Sequence, residues 1–130
     1  MGRNAAGVRG MRLSPSDSIV TAGVIKKNYK NVNIMTLSEK GYGKKSSVKD
    51  YKVQNRGGTG IKTAKVSDKT GTLIAGAITN GQEEELVAIS KKGQVIRVAL
   101  QEIPVLGRQT QGVRIMKVRS GDALATFTCI

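Results

Sequence analysis

Three short stretches carry an arginine four residues before a glycine that an apolar side chain follows: Arg3 before Gly7 and Val8, Arg56 before Gly60 and Ile61, Arg108 before Gly112 and Val113. An arginine in such a setting can fork two donors onto a phosphate while glycine N–H groups approach the same anion closely. The same arginine can instead bond carbonyls of a neighbouring unit, and the glycines Gly7, Gly57, Gly58, Gly60 and Gly112 serve equally well as turn residues with positive φ. Both uses stay open at this level. A second group is Lys44, Lys45, Lys49 and Lys52, set within nine residues just ahead of Arg56. A row of point charges holds a duplex by its phosphates without reading base edges. Lysines on an edge strand also block sheet-to-sheet pairing, so a solvated edge is the competing account.

The residue types exclude most catalysis. There is no histidine, which removes His-activated nucleophiles and His-based metal sites. Glu83-Glu84-Glu85 are consecutive carboxylates in an extended stretch and diverge, which suits a solvated loop better than a cation site. Gly41-Tyr42-Gly43-Lys44-Lys45 lacks Walker spacing and precedes no helix. No catalytic residue, metal or cofactor is therefore expected. The single cysteine, Cys129, reads as a small apolar strand residue, and no intrachain disulfide can form.

Charge points to an anionic partner. Twenty-two Lys and Arg against nine Asp and Glu give +13, and nucleic acid is the leading candidate. Residues 1–65 hold fourteen basic and three acidic side chains, net +11, whereas residues 66–130 hold eight and six, net +2. The partner is expected mostly against the first half. Only Tyr29, Tyr42, Tyr51 and Phe127 are available to stack on bases, thin provision for a single-strand binder. No apolar run approaches a membrane span and no secretion signal opens the chain, so a soluble cytoplasmic protein with no membrane partner is the expectation.

The elements that must position these residues repeat. Gly7, Gly60 and Gly112 are spaced by 53 and 52 residues, and Gly93 follows Gly41 by 52. A period near fifty belongs to propeller-like arrays, whose small sheets need neighbours to bury a face. Apolar alternation and turn residues predict ten strands, at residues 8–13, 19–25, 32–37, 42–46, 61–66, 73–78, 86–90, 94–98, 113–118 and 124–129. Turns separate them at Ser14-Pro15-Ser16-Asp17, Glu39-Lys40-Gly41, Asp68-Lys69-Thr70-Gly71, Lys91-Lys92-Gly93 and Arg119-Ser120-Gly121-Asp122. The expectation is an all-β chain of four-stranded blades, with repeat units 1–53, 54–106 and a partial 107–130. Two and a half repeats cannot close a ring. Either the chain is part of a larger domain or another copy covers its open edges.

Met1 through Gly10, Glu39 through Lys45 and Gly107 through Arg114, with the repeat between, resemble the later part of the C-terminal domain of bacterial DNA gyrase A. The resemblance covers essentially the whole chain and implies a β-pinwheel, a propeller-like ring of about six blades that exchange strands. It implies duplex DNA wrapped non-specifically on a basic outer rim within an ATP-dependent type II topoisomerase that supercoils DNA, with the remainder of gyrase A, and gyrase B, as partners. On this reading DNA contact falls to Arg3, Arg9, Arg12, Lys44, Lys45, Lys49, Lys52, Arg56, Lys62, Lys65, Arg97, Arg108 and Arg114. One departure is plain: the family heptapeptide Gln, basic, Arg, Gly, Gly, basic, Gly meets Gln54-Asn55-Arg56-Gly57-Gly58-Thr59-Gly60 here, with Asn55 and Thr59 in the basic places. This copy resembles a degenerate later repeat, and the homologous component of topoisomerase IV stays open. So does a different class, a protein-interaction propeller fragment that contacts an acidic partner or the rest of its own enzyme.

Overall fold

In the computed structural model, which describes all 130 residues, two β-hairpins of the same design organise the chain. The first joins β1 (Asn33–Ser38) to β2 (Tyr42–Ser47), and the second joins β4 (Glu85–Ser90) to β5 (Val95–Ala99). Their turns close on Gly41 and Gly93, at φ +88° and +86°, where the chain must reverse within three or four residues. Each hairpin runs out into a single-turn 3-10 helix, Val48–Asp50 or Leu100–Glu102.

Each hairpin is extended by a strand of the following repeat. After β2 the chain passes through residues 51–72 and returns as β3 (Leu73–Thr79), which lies antiparallel on β1 with Asn33 opposite Thr79. After β5 it passes the third arginine motif and returns as β7 (Leu124–Cys129), antiparallel on β4 with Leu86 opposite Cys129. Between them β6 (Val113–Arg114) pairs with β2 of the first hairpin. The sheets are thus ordered β3-β1-β2-β6 and β5-β4-β7, each built by more than one repeat. Both carry a register shift at the same place, between Leu37 and Ser38 and between Ile89 and Ser90.

The core lies where the sheets meet. Met35 and Leu37 of β1, Leu86 and Ala88 of β4, Leu100, Ile103, Met116 and Leu124 form one buried cluster, with Phe127 and Ile96 against it. Each fully buried Leu or Met there contributes about 2 kcal/mol. Since both hairpins supply it, neither stands alone.

The all-β class holds, but seven strands form where ten were expected, in sheets of four and three. Residues 8–13 keep one bridge, Met11 to Gly58, residues 61–66 contribute no strand, and 113–118 shortens to two residues. Residues 19–25 make one side-chain hydrogen bond to a sheet, the Thr21 hydroxyl donating to the Gly76 carbonyl at 3.2 Å. Alternation specifies a face, whereas a strand also needs a partner edge for its backbone groups. Ile19, Val20, Val24 and Ile25 lack that edge and are exposed.

Candidate nucleic-acid interface

The three arginine motifs repeat in backbone and differ in attachment. Gly7, Gly60 and Gly112 all take a left-handed conformation, with φ between +78° and +84°, as does Gly57 at +76°. The third motif is bolted down. Arg108 Nη1 donates to the Lys62 carbonyl at 2.6 Å, its guanidinium lies 5.9 Å from the Tyr51 ring centroid, and Lys65 N–H donates to the Thr110 carbonyl. Gly112 packs so tightly on β2 that a Cβ there would sit 2.5 Å from the Gly43 carbonyl oxygen. Arg108 therefore bridges repeats. Arg3 and Arg56 are exposed and their side chains make no hydrogen bond in the chain. The second motif instead receives the first: Arg12 N–H donates to Gly58 O, and Gly57 N–H to Gly10 O. That pairing lays the backbone of residues 10–12 along the second motif, and Arg9, Arg12 and Arg56 are all exposed.

Lys44 is where the structure departs most from the expected phosphate contacts. Neighbouring side chains on a strand point to opposite faces, so Lys44 and Lys45 cannot share one. Lys44 turns inward and is 1% exposed. Its ammonium donates to the carbonyls of Gly107 and Arg108 at 2.5 and 2.6 Å and to the Thr110 hydroxyl at 3.1 Å. Burial, with the Arg108 charge added, lowers its pKa from the ordinary lysine value. Lys44 is a cap for the third motif and is unavailable to phosphate.

The other expected cations reach solvent to different degrees. Lys49, Lys52, Lys62 and Lys65 are exposed, while Lys45 is half-buried. Arg114 is exposed but leans on Tyr42, donating to its hydroxyl at 3.1 Å with the guanidinium 5.4 Å from the ring centroid. Arg97 is committed to Glu85, the one ion pair in the structure. Cys129 is half-buried, and burial, reinforced by the Glu83 carboxylate, pushes its thiol up to about 11. No helix is long and apolar enough to cross a membrane.

Three further lysines join this set: Lys26, Lys27 and Lys30. With Lys49 and Tyr29 they line a cleft of about 640 Å³ between the loop that enters β1 and the 3-10 helix that follows β2. The run of lysines is visible in the sequence, but as a polar loop with no indication that Lys49 faces it. The second hairpin has a cleft in the same place, about 490 Å³, lined by Glu83, Glu84, Glu85 and Gln101.

A sequence model of the family described as DNA gyrase C-terminal domain, beta-propeller, matches residues 1–26, 33–80 and 84–130. Among curated relatives, the DNA gyrase A of Lawsonia intracellularis is 40% identical over 130 residues, all of this chain and 16% of that protein. The DNA gyrase A of Thermotoga maritima is 41% identical over 118 residues, 91% of this chain and 14% of that protein. Among solved structures, a DNA gyrase A C-terminal domain superposes with a TM-score of 0.82 at 24% identity, over 95% of this chain and 41% of the other. The C-terminal domain of a DNA topoisomerase IV does so at 0.80 and 20%, over 93% and 36%. At those identities the two structures speak for the fold alone, a β-pinwheel; in this chain β3 and β7 are the strands that pass to the preceding hairpin's sheet. By its sequence and its strand exchange, the chain belongs to the DNA gyrase C-terminal domain family of beta-propellers.

Proposed function

We propose that this chain binds duplex DNA non-specifically and bends it, as a non-catalytic module of gyrase A in a cytoplasmic type II topoisomerase. The rest of gyrase A, together with gyrase B, would supply cleavage and ATP hydrolysis. The observation that carries this reading is the ion-pair count: twenty-two cationic side chains and one pair, Arg97 with Glu85. A surplus that opposes folding and is left uncompensated inside the chain is suited to an anion from outside. Smooth bending of 20–30 base pairs by 40–90° costs on the order of 1–6 kcal/mol, so several contacts must act together. Exposed Arg9, Arg12 and Arg56 on the paired first and second motifs, and Lys49 and Lys52 beyond β2, meet that need. About six phosphate contacts give a log–log salt slope of roughly −5.

The test is energy transfer between the labelled ends of a duplex of about a hundred base pairs, shorter than the persistence length. The expected result is compaction at low salt that is lost as salt rises, and weakened by Lys49→Glu with Arg56→Glu. Absence of compaction at low salt overturns the reading and leaves an acidic protein partner for the charge.

A further inference from the structure

We infer that the cleft bearing Lys26, Lys27, Lys30 and Lys49 seats the phosphate backbone of duplex DNA, and that its acidic counterpart on the second hairpin turns the duplex away there. The inference rests on the DNA-bending reading above and names the surface that performs it.

Charge is the first ground. No Asp or Glu lines the cleft, and none of the four ammonium groups is hydrogen-bonded or ion-paired within the chain. Like charges gathered in one concavity repel each other in the free protein, and a concave wall of one sign focuses the field on an incoming anion. Placement is the second ground. Tyr29 N–H donates to the Lys26 carbonyl at 3.0 Å to turn the loop, and Asn31 follows in a left-handed conformation, φ +53°. The opposite wall is tied to the same loop, since Val48 N–H donates to the carbonyl of buried Val32 at 3.0 Å. The Ser47 hydroxyl accepts from Lys49 N–H at 3.3 Å and fixes the turn that carries the fourth lysine. Both walls are thus set by backbone bonds before any ligand arrives.

The chemistry separates duplex from single strand. Stacking platforms for single strands need free aromatic faces, and the one ring here, Tyr29, is half-buried with the Lys26 ammonium 5.9 Å from its centroid. The charge the cleft offers is four ammonium groups and no carboxylate, which matches a row of phosphates. Across the repeat the sign inverts: Glu83, Glu84 and Glu85 line the matching cleft, Gln101 stands at the position of Lys49 and Ala99 at that of Ser47. A duplex lying along the first cleft meets repulsion at the second, so the pair of clefts gives the bound path an end.

The test compares two charge reversals of equal size in the 130-residue chain, Lys26→Glu with Lys30→Glu in the cleft and Lys91→Glu with Lys92→Glu on the β4–β5 turn. Binding of a short labelled duplex is followed across salt concentrations. The cleft variant is expected to lose about tenfold or more in affinity and to flatten the salt slope by about two contacts' worth. The turn variant is expected to stay within about threefold with its slope unchanged. Glu83→Lys with Glu84→Lys is expected to tighten binding and steepen the slope. Equal losses in both reversals, or none in the cleft variant, overturn the proposal while the DNA reading stands. An unmodified chain that fails to bind duplex at low salt removes both. Preference for poly-glutamate over duplex assigns the cleft to an acidic protein and also overturns it. Thermal melts check folding, and Lys26→Gln with Lys30→Gln, which keeps the loop polar, separates the same outcomes should the reversal disturb it.

Discussion

Where the first hairpin carries Lys44, buried beneath the turn at residues 107–110, the second carries Ile96, half-buried against the core. The two strands otherwise correspond residue for residue, with the same turn, the same 3-10 exit and the same register shift. Outer edges differ as well. β2 is covered by β6, with Gly112 on Gly43, whereas β5 is the open edge of its sheet and Val95 is exposed. At the base of each hairpin lies a cleft, cationic on the first and anionic on the second. What repeats is what sheet geometry dictates; what varies is set by the neighbour each face meets. The first hairpin receives a third motif at its edge, and Lys44 is the residue type that can cap the carbonyls this brings.

The sharpest way to break the comparison is to make the first hairpin like the second. Lys44→Ile strips the Arg108 carbonyl of its donor and leaves the Gly107 carbonyl only the Thr110 hydroxyl and N–H. An unsatisfied buried polar group costs about 1–3 kcal/mol and a bond to a charge is worth about 1.5–3, so a loss of about 3 kcal/mol is expected in denaturant melts. The reciprocal Ile96→Lys brings an ammonium where no turn awaits it and is expected to cost about 2 kcal/mol through lost burial. A neutral Lys44→Ile, the outcome when apolar packing replaces a buried ion well, would mean the hairpins are interchangeable and the cap incidental. The pH response follows from the depressed folded-state pKa. Just below pH 10.5 the folded chain binds fewer protons than the unfolded one, so this group's contribution grows as pH rises there and is lost as pH falls. Lys44→Ile should remove that slope.

Much of this was legible in the sequence, and the misses share a cause. The period in the glycines located both hairpins and all three motifs, because a left-handed turn needs its residue type locally. The turn at Asp68 to Gly71 was legible for the same reason: Gly71 N–H and Thr70 N–H both donate to Ser67 O. Strands at 8–13 and 19–25 were misread because alternation says nothing about the partner edge. The sequence alone groups Lys44 with the phosphate contacts, since its inward face is set by β6 and the 107–110 turn, more than sixty residues away. The basic cleft was missed for the same reason, since Lys49 meets Lys26, Lys27 and Lys30 only once β1 and β2 pair Asn33 with Ser47.

The covered and open edges make a smaller contrast. Gly112→Ala meets two penalties, a left-handed φ of +82° and the Gly43 carbonyl 2.5 Å from the new Cβ, and it should loosen β6 from β2. Gly93→Ala meets only the first, with open space around it at φ +86°. A left-handed non-glycine residue costs of order 1–3 kcal/mol, so about 1 kcal/mol is expected for Gly93→Ala and at least about 2 for Gly112→Ala. Hydrogen exchange at Val113 and Arg114 should accelerate only in the latter. Equal costs would show that β6 yields freely and that the covered edge is not a fixed part of the first hairpin.

The smallest effect concerns the one ion pair. Glu85 and Arg97 sit where the first hairpin has Asn33 and Lys45, which are unpaired, so Glu85→Asn converts one hairpin's arrangement into the other's. The two side chains are 39% and 62% exposed, and exposed pairs contribute about 0.2–1 kcal/mol, less in salt. A stability change below about 0.5 kcal/mol is therefore expected. The larger consequence is electrostatic: Arg97 is released and a carboxylate leaves the acidic cleft, so duplex affinity should rise by a small factor at low salt and converge with the unmodified chain's as salt screens both. A drop in stability well beyond that figure, with no gain in affinity, would mark the pair as a structural clamp particular to the second hairpin and detach it from the charge difference between the two clefts.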